Sequence, residues 1–211
     1  MVTRVWAGST VRPGWTVTVV EPEPKSGGAG LLNGLDDPEL VRACLEGQRE
    51  AFDVVVERHR RSVYRLCYRF VSNHEDASDL AQEVFLRAYR GLKGFKGQSS
   101  LATWLYRIGV NVCLSRVSAK TPATEPLDAR PHEAPGDDPA STLLRSERTA
   151  RVRTAIAQLP RKQRATLILR VYQELSHREI AQILGSSVGA VKANFFHALG
   201  TLKKILESEP V

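Results

Sequence analysis

Cysteine is scarce in this chain: Cys44, Cys67 and Cys113 are all it has in 211 residues, far apart and in no Cys-x-x-Cys arrangement. That spacing excludes a disulfide framework and a cysteine zinc site, and the three read as small core hydrophobes, with a redox role as the alternative. Long apolar runs are missing too. Nothing approaches the roughly 20 residues of a spanning helix, and the first residues lack a continuous hydrophobic stretch of signal-peptide length, so a cytoplasmic protein with no membrane insertion is expected. Catalytic signatures are absent. His59, His74, His132, His177 and His197 are scattered, with no His-Glu-x-x-His, no phosphate loop and no nucleophile motif. The expectation is a non-enzyme with no cofactor, no metal and no small-molecule substrate. Acidic residues are the minority: 23 Asp and Glu face 30 Lys and Arg, a net charge of +7. Such a balance points to a polyanionic partner, DNA or a membrane surface. No internal repeat is visible.

What is present is helical, in two blocks. Residues 1–35, with Pro13, Pro22, Pro24, Gly27, Gly28 and Gly30, show no helical period and are expected to be disordered, although Val17–Val20 has the makings of a short strand. From 36 to 118 the pattern predicts a bundle. Asp37 caps a first helix, Pro38 takes its first position, and Gly47 ends it. A second helix turns Phe52, Val55, Val56, Val63, Leu66, Cys67 and Phe70 inward and five arginines outward. The third runs from about Glu75 to Gly91 with Leu80, Val84, Phe85, Ala88 and Tyr89 inside. The loop Phe95–Ser99 leads into a fourth over Ser100–Ser118. Residues 119–142 then break the pattern with five prolines, and Glu125, Asp128, Glu133, Asp137 and Asp138 make a flexible acidic linker. Helices resume over 143–207, with a stop at Leu159-Pro160 and a helix from Gln163 to Tyr172. The fold class is therefore all-α, two small helical domains joined by a tether.

The densest signal lies in His177–Lys204. Ser176 and Glu179 form a capping-box pattern, Ile180, Ile183 and Leu184 an apolar stripe, and Ala181, Gly185 and Val191 supply close approach, a left-handed turn and a plug where two helices cross. Ser187 caps the second helix, whose Val188, Val191, Phe195, Leu199 and Leu202 are expected to face inward. Gly189, Lys192, Ala193, Phe196, His197 and Gly200 lie on the free side. This predicts a helix-turn-helix that touches DNA. An ordinary helical hairpin is the bland alternative. Against it stand Arg145, Arg148, Arg151, Arg153, Arg161, Lys162, Arg164 and Arg170, countered between 145 and 170 by Glu147 alone.

Several strings together resemble the extracytoplasmic-function group of bacterial sigma factors: Asp79-Leu80-Ala81-Gln82-Glu83-Val84-Phe85, Ala88-Tyr89-Arg90, Thr103-Trp104-Leu105-Tyr106-Arg107-Ile108 followed by Asn111, and Val188-Gly189-Ala190-Val191-Lys192. The resemblance covers nearly everything after residue 36. It implies that Asp79, Gln82 and Glu83 dock on core RNA polymerase. It also implies that Gln98, Ser99, Trp104, Tyr106, Arg107, Asn111 and Arg116 hold unstacked minus-10 bases, and that an anti-sigma factor is a partner alongside polymerase and promoter DNA. Asp79, Gln82, Glu83 and Arg87 share an exposed stripe in any case, and Trp104 by itself reads as a core aromatic. Ser187, Lys192, Asn194, Phe196 and His197 become the minus-35 readers. The recognition helix departs from the commoner arginine-rich pattern, so the sequence it reads does not transfer. Phe196 has two readings, a surface for a thymine methyl or packing on the preceding helix, and His197 can be merely solvated. For the acidic linker, a path toward the RNA exit channel and a plain spacer both stand. The rivals are a helix-turn-helix regulator that binds palindromic duplex without polymerase and a basic RNA-processing enzyme. The first leaves the Asp79 and Trp104 strings unused, and no carboxylate cluster supports the second.

Overall fold

The computed structural model describes residues 32–119 and 139–208. The expected disordered tail falls largely on residues 1–31, and most of the acidic tether on 120–138, outside the described residues. Among the described residues there are eight helices and no strand, in two lobes. The first lobe holds α1 (Asp37–Leu45), α2 (Arg49–Val71), α3 (His74–Gly91) and α4 (Leu101–Ala119), with a short 3₁₀ turn at Leu92–Gly94 between the last two. The second holds α5 (Pro139–Gln158), α6 (Arg161–Tyr172), α7 (His177–Leu184) and α8 (Val188–Ser208).

Local chemistry sets the helix ends. Asp36, rather than Asp37, caps α1: its carboxylate accepts from the Glu39 N–H at 2.8 Å, and Glu39 accepts from the Asp36 N–H at 2.8 Å. The reciprocal pair decides between two adjacent aspartates, because only Asp36 has a glutamate three residues on. Asp37 is freed to bind Arg58 at 2.7 Å and His59 at 3.0 Å, tying α1 to α2. Arg58 also donates to the Leu35 carbonyl at 2.8 Å, so the lobe begins a few residues before 36. α2 stops where Ser72 turns left-handed, at φ 56.

In the first lobe Val55, Val63, Leu66, Cys67 and Phe70 of α2 are no more than 1% exposed. Leu66 meets α4 at Gly109, where a Cβ would stand 2.9 Å from the leucine Cδ2, so any larger residue would force this buried leucine to shift. Cys113 is buried beside Cys67. Its thiol is pushed up by the hydrogen bond with Cys67 and further by burial, which keeps it protonated and unreactive as core filler. Tyr89 departs from expectation: it is 49% exposed, and its ring meets that of Phe52 edge-on with centroids 5.0 Å apart.

In the second lobe Ile156, Ile168, Leu169, Ile180, Val191 and Ala198 are buried. The expected inward stripe of α8 is corrected at two positions, since Leu199 is 47% and Val188 39% exposed while Ala198 is 0%. Positions 191, 195, 198 and 202 keep the three-and-four spacing, and residue 199 sits about 100° further round.

The lobes do more than share a tether. Arg164 of α6 is buried against the end of α2, donating Nη2 to the Phe70 carbonyl and Nη1 to that of Ala157 at 3.3 Å. Burial pushes its guanidinium down from the ordinary arginine range, and Nε has no partner among the described residues. Tyr106 of α4 donates to Gln173 Oε1 at 3.0 Å, and the Arg69 guanidinium lies 4.0 Å over the Tyr172 ring. None of these contacts was visible in hydrophobic periodicity, which reports a helix's own core and not a polar seam.

Candidate nucleic-acid and polymerase interfaces

Three surfaces gather the sequence-derived candidates. On α3, Asp79 and Gln82 are exposed and Glu83 is half-buried. Glu83 Oε1 accepts from Arg87 Nε at 2.7 Å one turn on, so the stripe is acidic at its N-terminal end and neutralised toward its C-terminal end. Opposite it the helix buries Ala77, Leu80, Ala81, Val84 and Ala88. The amphipathic pattern therefore holds the polar stripe outward on a rigid support.

On α4, Trp104, Arg107 and Asn111 succeed one another at spacings of three and four, which places them on one face. The loop before α4 closes over the start of that face. Phe95 packs on Trp104 with ring centroids 5.2 Å apart, and Gln98, Ser99, Trp104 and Arg107 line a cavity of about 220 Å³. Ser100 Oγ accepts from the Thr103 N–H at 3.1 Å, ordering the turn from loop into helix. Trp104 is only half-buried, which leaves ring surface at the cavity. Asn111 is exposed: its neighbours Val110 and Val112 turn inward and leave it outside.

Two candidates do not join this group. Tyr106 is 9% exposed with its hydroxyl committed to Gln173 of the other lobe. Arg116, five residues beyond Asn111 and so off the stripe, pairs with Asp76 at 2.8 Å. One residue that the sequence did not suggest enters the cavity: Gln182 of α7 lies at its edge. A glutamine on the outer face of a helix carries no signal of contact with a domain about 80 residues upstream.

The third surface is the helix-turn-helix. Ser176 Oγ accepts from the Glu179 N–H at 3.2 Å, and the Glu179 carboxylate accepts from the Ser176 N–H and hydroxyl. Those bonds, the Ser176 hydroxyl first, hold the Glu179 carboxyl below its usual range. Gly185 takes the left-handed turn at φ 58, and Val191 is fully buried at the crossing. Ser187 Oγ accepts from the Ala190 N–H at 3.1 Å, so this hydroxyl caps α8. Along the outer face Lys192 and His197 are exposed and Asn194 is half-buried. Phe196 is 75% exposed, which excludes packing on the preceding helix. Among the described residues, no group of three His, Cys, Asp or Glu is placed to hold a metal, and no helix is long and apolar enough to cross a membrane.

Each lobe has its own counterpart among known proteins. Residues 55–122 match the family model for sigma-70 region 2, and residues 149–202 that for sigma-70 region 4. The RNA polymerase sigma-H factor of Pseudomonas aeruginosa is 34% identical over 187 residues, covering 84% of this chain and 97% of that protein. The ECF RNA polymerase sigma-E factor of Haemophilus influenzae is 34% identical over 178 residues, covering 80% and 94%. Among solved structures, CnrH in complex with the cytosolic domain of CnrY superposes with a TM-score of 0.61 at 25% identity, over 82% of this chain and 99% of that one. With both regions present in order and relatives matched nearly end to end, the chain belongs to the ECF family of RNA polymerase sigma factors.

Proposed function

We propose that this sigma factor divides promoter recognition between its lobes, with residues 36–118 binding core polymerase and the minus-10 element and residues 143–207 binding the minus-35 element. One observation carries the division. A ring, a guanidinium and an amide stand in file on α4 beside a polar loop, while a separate lobe turns an uncrowded helix face outward. The first set suits capture of an unstacked base, through stacking on Trp104 and hydrogen bonds from Arg107, Asn111, Gln98 and Ser99. The second suits a major groove: Lys192 reaches a guanine edge or phosphate, Asn194 an adenine or phosphate, and Phe196 a thymine methyl. Ser187 and His197 serve as phosphate contacts at the ends of that surface. Asp79, Gln82 and Glu83 present the docking stripe for polymerase. The chemistry of RNA synthesis belongs to the polymerase, and this chain supplies binding energy only.

The packed lobes are then a resting form. Elements named for positions about 25 nucleotides apart are ~85 Å apart along a duplex at ~3.4 Å per step. A compact chain of this size has a radius of gyration of roughly 17 Å. The seam must part for both elements to be held at once, and parting also frees Tyr106 and uncovers the Trp104 cavity. Arg164 lowers the cost of opening the seam, because a buried guanidinium with no carboxylate partner among the described residues gains hydration on exposure, which offsets the loss of its bond to the Phe70 carbonyl. An anti-sigma factor that covers one of the DNA faces would hold the chain inactive. CnrH, similar to this chain in fold, was solved in complex with the cytosolic domain of CnrY, a precedent for a protein partner on such a chain.

Asn111→Ala tests the division. Losing one base contact of about 1.4 kcal/mol lowers promoter opening roughly tenfold, read by permanganate reactivity of unpaired thymines, while affinity for core polymerase stays within about twofold. Equal losses in both assays would contradict the assignment.

A further inference from the structure

The basic run of the second lobe sorts into two sets. Arg164 and Arg170 are spent on carbonyls, the latter on that of Leu175 at 2.8 Å. Arg148 and Arg153 of α5 are not. They converge with Arg69 of α2 on a cavity of about 340 Å³ between the lobes, which Tyr68, Ser72 and Tyr172 also line. Among the described residues, none of these three guanidiniums has a carboxylate within 4.0 Å. Arg69 lies 4.0 Å over the Tyr172 ring, and Arg153 lies 5.8 Å from the centre of the Tyr68 ring.

Arg69 and Arg148 are exposed and Arg153 is half-buried, so water screens their mutual repulsion, and what the cavity offers an anion is several guanidinium donors facing one space without a carboxylate among them. Guanidinium forks match phosphate oxygens in pairs, and two phenol rings, one already stacked by an arginine, give a planar group a platform. The volume sits at the lower end of small-ligand pockets. We propose that this cavity binds a nucleoside polyphosphate, its phosphates held by arginines from both lobes and its base laid against the tyrosines. Polymeric nucleic acid fits less well, because a backbone tracks along an open groove, whereas this site is walled by two lobes. A ligand that bridges the seam favours the closed form by mass action, in proportion to its concentration over its Kd. That consequence rests on the parting proposed above, and the binding does not.

Calorimetric titration of the full chain with ATP, GTP, inorganic pyrophosphate and adenosine tests the site. The triphosphates are expected to bind with Kd of about 1 mM or tighter, pyrophosphate about tenfold more weakly, and adenosine not measurably. Arg69→Ala on one lobe, and Arg148→Ala with Arg153→Ala on the other, should each weaken ATP binding about tenfold or more. Arg161→Ala with Lys162→Ala, which removes equal charge from exposed positions outside the cavity, should change it less than about twofold. The proposal is overturned by no binding at several millimolar, by equal loss in the control pair, by a response to changes on one lobe only, or by an oligonucleotide displacing ATP at lower phosphate concentration.

Discussion

Reversing two charges, Asp79→Lys together with Glu83→Lys, is expected to lower affinity for core RNA polymerase at least ~100-fold while the lobe stays folded. Removing a central contact of an interface costs about 2 kcal/mol, and placing like charges opposite a basic partner adds to that. Stability should move little. Asp79 is exposed, and the Glu83–Arg87 pair, half-exposed on both sides, contributes under about 1 kcal/mol. Pull-down or fluorescence titration with core polymerase reads the first quantity, and thermal melting the second. A variant that melts as the parent does and still binds core within about threefold would show that this stripe is a solvated helix face and nothing more.

Val191→Asp should have the larger structural effect. Val191 is fully buried where α7 and α8 cross, and its N–H bonds to the Ser187 carbonyl at 3.0 Å in the first turn of the recognition helix. A carboxylate there is buried without a partner among Ile180, Ile183 and Ala198, at a cost of several kcal/mol. Since a small lobe has only a few kcal/mol to lose, the helix-turn-helix should melt and duplex binding at the minus-35 element should vanish. The first lobe has its own core around Leu66 and Phe70 and should keep its helicity. Amide hydrogen exchange separates these outcomes: protection is lost in α7 and α8 and retained in α2 and α4. Uniform loss across both lobes would mean that the seam makes them one cooperative unit.

Much of this architecture is legible in the residues, and the exceptions share a cause. Caps and turns are short-range chemistry, so Ser176 with Glu179 and the left-handed Gly185 can be read directly from spacing. The inward faces of α2 and α3 follow from period alone, apart from Tyr89 near the C-terminal end of α3. The α8 face was harder, because alanine at 198 is a weak hydrophobic marker beside leucine at 199. Which side packs is decided by the close approach of α6, a tertiary fact. The seam was hidden for the same reason. Arg164, Gln173, Gln182 and Tyr172 are individually unremarkable, and their roles exist only once α6 and α7 lie on α2 and α4. The proposed docking stripe and base-capture face come from a resemblance in strings of residues. Exposure then separates the candidates: Asn111 and Phe196 are exposed, whereas Tyr106 and Arg116 are engaged within the chain.

The central claim is that the two lobes hold a promoter at two places together, and only when seated on polymerase. Footprinting on a promoter selected from a random library, with the chain alone and with reconstituted holoenzyme, tests it most directly. The account predicts two protected patches separated by about two turns of duplex for the holoenzyme, with unpaired thymines at the downstream one, and no specific protection by the chain alone. Specific protection of a palindromic duplex by the free chain, or an identical pattern from core polymerase lacking it, would contradict the account.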